Sequence, residues 1–185
     1  MAITVEDGSV VAGANSFISL DGFTSHCETR GRSLDAYDED TQVIPALVKM
    51  ADYLNSLSWK GVKTARDNPM CWPRYGQEIG GSLWNRLEWP ASTWVGVLDK
   101  DGFYIGIEEV PPEVVSAQCE GAWLIIQGKD MEPSLDRGGQ IKRKKIDVIE
   151  FEYFGGASPT TEFKAVTNRL RGLLKSSATM EILRA

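Results

Sequence analysis

The sequence is poor in the residues that catalysis and metal binding usually draw on. It has one histidine, His26, in 185 residues, and three cysteines, Cys27, Cys71 and Cys119, far apart and without a CxxC pair. Histidine is the commonest general base, but no nucleophile or orienting carboxylate stands at a telling spacing from His26, which reads as a structural or surface residue. Tetrahedral zinc sites draw on clustered Cys and His ligands, so this set predicts no metal and no cofactor. An odd number of scattered cysteines fits reduced thiols buried as small hydrophobes. Residues 76–81 (GQEIGG) lack the lysine of a phosphate-binding loop and read as a flexible loop. The acidic residues 35–40 lack the glycine and terminal glutamate of a calcium loop and read as a helix lead-in.

Two further absences bound the class. No apolar run approaches the roughly 20 residues of a membrane helix, and Met1-Ala2-Ile3-Thr4-Val5-Glu6 carries neither the basic region nor the apolar stretch of a signal peptide. The expectation is a non-enzymatic protein with no membrane partner, made in the cytosol and kept there or carried into a particle assembled there. A basic surplus is also missing: 20 Lys and Arg face 26 Asp and Glu, for a net charge of -6. Phosphate neutralisation supplies most non-specific affinity for nucleic acid, so the global balance argues against a free-standing nucleic-acid binder while leaving room for a local patch.

What is present is helical periodicity at both ends of the chain. Ser19 is placed to cap a first helix with Leu20, Phe23 and Cys27 on one face, and Gly31 to end it. Val43, Leu47, Met50, Leu54 and Leu57 keep a 3.6-residue period over 41–57, with Pro45 in the first turn. Pro111-Pro112-Glu113 opens a third helix carrying Val115, Cys119, Ala122 and Ile126, and Gly128 stops it. A last helix is expected over 160–175, with Phe163, Val166, Leu170 and Leu173 on one face. Between them, 58–111 holds five of the six tryptophans and no helical period; Trp94–Leu98 and Phe103–Ile107 flank Asp99-Lys100-Asp101-Gly102 as a β-hairpin. Ile149, Phe151 and Tyr153 alternate with Glu150 and Glu152 as a half-exposed strand. The expected fold class is mainly α: a small helical bundle of about four helices, one or two β-hairpins, a loop-rich aromatic insertion at 58–111 and a short C-terminal tail at 176–185, all in one domain spanning 1–185.

Two features have a functional claim beside a plainer one. Lys142-Arg143-Lys144-Lys145 could meet phosphate or an acidic partner, or serve as a solvated strand edge that discourages pairing. Trp84, Trp89 and Trp94 could anchor a protein interface, stack on bases, or pack a satellite core.

Several segments, taken in order, resemble one known pattern: Val5-Glu6-Asp7-Gly8, Gly13-Ala14-Asn15-Ser16-Phe17-Ile18-Ser19, Ala51-Asp52-Tyr53-Leu54 leading to Trp59-Lys60-Gly61, Cys71-Trp72-Pro73-Arg74, Val110-Pro111-Pro112-Glu113-Val114, and Ile149-Glu150-Phe151-Glu152-Tyr153. The chain resembles a tailed-phage family labelled DnaT-like single-stranded DNA-binding protein, which is similar in length and helix order to phage head–tail connectors (adaptors). The connector likeness implies a virion neck protein: a ring of about twelve copies beneath the portal, lining the channel through which genomic DNA passes, with a tail-side neck or tail-terminator protein as its other partner. It implies that Arg169, Leu170, Leu173, Leu174, Met180, Ile182 and Leu183 dock on the portal, and that the hairpin around Lys142, Arg143, Lys144 and Lys145 faces the channel or a partner. The family label implies the alternative, a single-stranded DNA-binding replication accessory.

Overall fold

The computed structural model describes residues 2–79, 93–132, 143–146, 149–152 and 163–175. Four α-helices run through them: α1 (Leu20–Glu28), α2 (Ile44–Ser56), α3 (Pro112–Ile126) and α4 (Lys164–Leu170). A three-stranded antiparallel sheet, β1 (Val62–Lys63), β2 (Arg74–Ile79) and β3 (Thr93–Gly96), lies between α2 and α3 in sequence, and a two-stranded ladder, β4 (Arg143–Ile146) and β5 (Ile149–Glu152), precedes α4.

The helix starts follow from local chemistry. Ser19 accepts the Gly22 N–H, satisfying one of the unpaired donors of α1. A π-turn over Glu39–Val43, with Asp38 accepting the Thr41 N–H, leads into α2, and Pro45 occupies its first turn, where no donor is lost. The acidic residues 35–40 therefore include a helix-capping carboxylate. α3 begins at Pro112 and ends where Gly128, at φ +80°, turns the chain back so that Lys129 N–H reaches the Leu124 carbonyl.

α3 is the element the other helices pack on. Its middle, Ala117 to Ala122, is buried all round, which a single apolar stripe over Val115, Cys119, Ala122 and Ile126 does not describe; Val115 and Ile126 are only half-buried. A Cβ on Gly121 would run into the Met50 side chain, so α2 crosses here at close range. Phe23, Leu47, Met50, Leu54, Trp72, Val114 and Leu170 fill the shared core, and each such side chain stabilises by about 1.5–3 kcal/mol on leaving water. Gln118, fully buried, ties three segments: its Nε2 donates to Ser16 Oγ and to the Leu47 carbonyl, both at 3.0 Å, and its Oε1 accepts the Phe17 N–H at 2.9 Å. The N-terminal segment is held in the same way by buried Glu6, whose carboxylate accepts the N–H groups of Gly8, Val10 and Val11. Those bonds hold Val10 at φ +62°, a costly backbone for a β-branched residue.

Three expectations are corrected. Residues 58–111 contain a three-stranded sheet as well as the hairpin turn, because Trp94, Val95 and Gly96 pair with β2 while only Leu98 and Tyr104 bridge across the turn. Residues 76–79, expected in a flexible loop, are the last four residues of β2. The last helix stops at Leu170 rather than 175: Lys60 donates its backbone N–H to the Leu173 carbonyl and its Nζ to the Gly172 carbonyl, and Leu174 bridges to Trp59, so the chain leaves the helix to pair with 58–60. No helix among the described residues is long and apolar enough to cross a membrane.

Candidate nucleic-acid interface

Among the described residues the densest charge constellation sits on α3. Glu120, 5% exposed, receives Arg32 Nη2 at 2.8 Å, Arg169 Nη2 at 3.2 Å, Arg30 Nε at 3.3 Å and His26 Nε2 at 3.4 Å. Four segments deliver these groups. His26 is on the last turn of α1. Gly31, at φ +66°, bends the chain so that Arg32 N–H bonds the Cys27 carbonyl and the Arg32 side chain returns over α3. Arg169 comes from α4 and is fixed by a further bond to Ser116 Oγ at 2.9 Å and one to the Ala165 carbonyl. Among the described residues three guanidinium groups face this one carboxylate, and 24–39% of each arginine side chain remains in solvent.

Burial alone would raise the Glu120 carboxyl, but the Arg32 hydrogen bond and the charges of Arg32 and Arg169 outweigh it and hold the group below its ordinary value. His26 is pushed down by burial and by the Arg30 charge, against the opposing pull of Glu120. The hub near neutral pH is thus an ionised carboxylate, a neutral imidazole and three cations. Aromatic surface adjoins it. The Arg32 guanidinium lies 5.4 Å from the centre of the Trp123 ring, and Tyr37 meets that ring edge-on at 6.0 Å.

Arg169 also links the hub to a groove of about 560 Å³ beside the end of α4, lined by Lys100, Arg169, Arg171 and Asn168 with Asp99 and Glu113. Gly172 backs directly onto Lys100 there. Arg30, Arg32, Arg169, Arg171 and Lys100 therefore form a band of cations contributed by the α1 end, α4 and the 99–102 turn. A second cavity, about 620 Å³ between α2 and the end of α3, sets Lys49 and Lys129 against Asp52, Asp130 and Glu132; acids outnumber bases, so it is the poorer phosphate site.

The sequence-derived candidates fall differently. Leu170 and Leu173 are buried in the core and Leu174 is half-buried beside Trp59, so these three are packed against their own chain rather than presented to a partner. Arg169 joins the hub. Met180, Ile182, Leu183, Lys142, Trp84 and Trp89 lie outside the described residues. Arg143, Lys144 and Lys145 form β4, where the register sets Arg143 opposite Glu152 and Lys145 opposite Glu150. Trp94 is in β3, opposite Glu78. Burial pushes the thiols of Cys71 and Cys119 up to about 12, so both stay protonated near neutrality. Among the described residues no group of His, Cys, Asp and Glu is placed to hold a metal ion.

Sequence reasoning missed Glu120, Arg30, Arg32 and Arg171. The available signal was a charged residue inside the most apolar helix: a buried glutamate has to find cations.

No curated protein and no solved structure matches the chain. A family model does, over residues 1–85 and again over 82–185, and its description concerns single-stranded DNA. That match overturns the assignment to head–tail connectors: it names no connector family, and with it go the virion-neck, portal-binding and twelve-copy-ring expectations that rested on that likeness. Matched along its whole length, the chain belongs to the family described as "Putative DnaT-like ssDNA binding protein".

Proposed function

We propose that the protein binds single-stranded DNA through the cationic band, with backbone phosphates lying along Arg32, Arg30, Arg169, Arg171 and Lys100. It acts by binding rather than by catalysis. The observation that carries this reading is the Glu120 hub. Three arginines converge on one buried carboxylate, which fixes them in place on one face of an acidic protein with part of each side chain still open to solvent. Arginines held by a neighbour lose less freedom on meeting phosphate than free side chains do. The family description supports the same ligand.

A labelled thymidine oligonucleotide titrated with protein at low salt, read by fluorescence anisotropy, tests it. Arg171→Glu and Lys100→Glu, both at exposed positions, are expected to weaken binding about fivefold to tenfold each. Lys144→Glu, in β4 and outside the band, is expected to do less. No measurable binding at low salt sinks the proposal.

A further inference from the structure

The 98–104 hairpin tip carries rings that the core does not use. Phe103 is 71% exposed and Tyr104 is 54% exposed, and Leu98, the bridge partner of Tyr104, is exposed as well. The tip is nevertheless built rigidly. Asp99 donates its backbone N–H to the Phe103 carbonyl, and its carboxylate accepts the N–H groups of Asp101 and Phe103 at 2.8 and 2.9 Å. Gly102, at φ +88°, closes the turn, and Ile105 N–H bonds the carbonyl of Val97, whose side chain is buried. Between Asp99 and Phe103 stands Lys100, which lines the groove shared with Arg169 and Arg171. A preorganised turn thus carries two exposed rings within four residues of Lys100, a member of the cationic band.

We infer that Phe103 and Tyr104 are base-stacking platforms: nucleobases of a single strand pack on these rings while its phosphates follow Lys100, Arg171 and Arg169. The inference rests on the proposed single-strand binding and adds where the bases go. Every base has a π-face, so such platforms bind without regard to sequence. They also require unpaired bases, which a row of cations alone does not.

The test compares two labelled oligonucleotides of equal length, about 12 nucleotides, one of thymidines and one abasic throughout, so that phosphate number is constant and only the bases differ. The full-length protein is titrated with each at one salt concentration. The wild type is expected to prefer the thymidine strand by about fivefold or more. Phe103→Ala and Tyr104→Ala are expected to erode that preference while leaving abasic affinity and the salt slope unchanged, and Phe103→Trp to retain it. Both substitutions lie at exposed positions, and unchanged thermal melting separates a binding effect from unfolding. Equal affinity of the wild type for both strands, or alanine variants that keep the full preference, overturns the inference and leaves the cationic band standing. Binding to neither strand overturns both. Self-association lost in Phe103→Ala, with DNA affinity intact, assigns the rings to a second copy of the chain and also overturns the inference.

Discussion

Glu120 is a single carboxylate on which three arginines and a histidine depend. Its partners are remote in sequence, 88 residues away for Arg32 and 49 for Arg169, so no local pattern announces them. His26 was legible as a structural histidine; its place at a charged hub was not. The hub makes stability depend on pH in two steps. The folded state resists protonating His26, whereas the unfolded chain takes that proton near pH 6.5; stability is therefore full above about 6.5 and declines as pH falls through it. Glu120 is depressed in the folded state, so its contribution is full above about 4.3, the unfolded value, and is lost as pH falls through the lower folded value. Urea midpoints across pH should show both declines, with His26→Asn flattening the first and Glu120→Gln the second. Near neutral pH Glu120→Gln should cost about 2 kcal/mol and weaken oligonucleotide binding, since the arginines lose the group that fixes them. A variant as stable as the wild type would show that the carboxylate does not hold the arginines.

At the scale of elements, the helices were legible because their ends carry strong local signals: Ser19 at α1, Pro45 at α2, Pro112 and Gly128 at α3. The sheet was not. β2 reads Arg74-Tyr75-Gly76-Gln77-Glu78-Ile79, without apolar alternation and with a shift in pairing between Tyr75 and Gln77, so the period-2 signal is missing. Two of the segments that carry the family resemblance, Trp59-Lys60-Gly61 and Cys71-Trp72-Pro73-Arg74, pack on one another. Arg74 donates to the carbonyls of Lys60, Gly61 and Cys71; Trp72 meets Trp59 edge-on at 5.9 Å; Trp59 Nε1 donates to Leu54. They anchor the sheet to α2 rather than present a site. The hairpin tip is positioned in turn by a close approach of backbones, for a Cβ on Gly96 would run into the Ile105 carbonyl. Gly96→Ala should therefore cost about 1–3 kcal/mol and speed amide exchange at Ile105, whose N–H bonds Val97. An unchanged melting temperature with unchanged exchange would remove the close approach as the device that seats the tip.

For the molecule as a whole, net charge and local charge point in opposite directions. A chain of -6 should repel DNA over most of its surface, and acids border the band: Asp99 and Glu113 line the groove with the cations, and Asp101 sits in the turn beside it. A single strand can lay its phosphates on the cations and keep clear of these acids. A duplex carries a second phosphate row at fixed separation and cannot avoid them, nor can it offer unpaired bases. The global composition was thus a sound reason to doubt general nucleic-acid binding and no guide to a narrow site of the kind proposed, because it averages over the whole surface. Two outcomes follow at this scale. The logarithm of single-strand affinity should fall against the logarithm of salt with a slope between about -2 and -4, as expected for roughly three to five neutralised phosphates. At any one salt concentration the single strand should bind about tenfold tighter than a duplex of the same length, measured by competition against the same labelled oligonucleotide. A duplex that competes as well as the single strand would mean that the acidic border does not act, and that phosphate charge alone, rather than one strand fitted between acids and rings, determines what the protein binds.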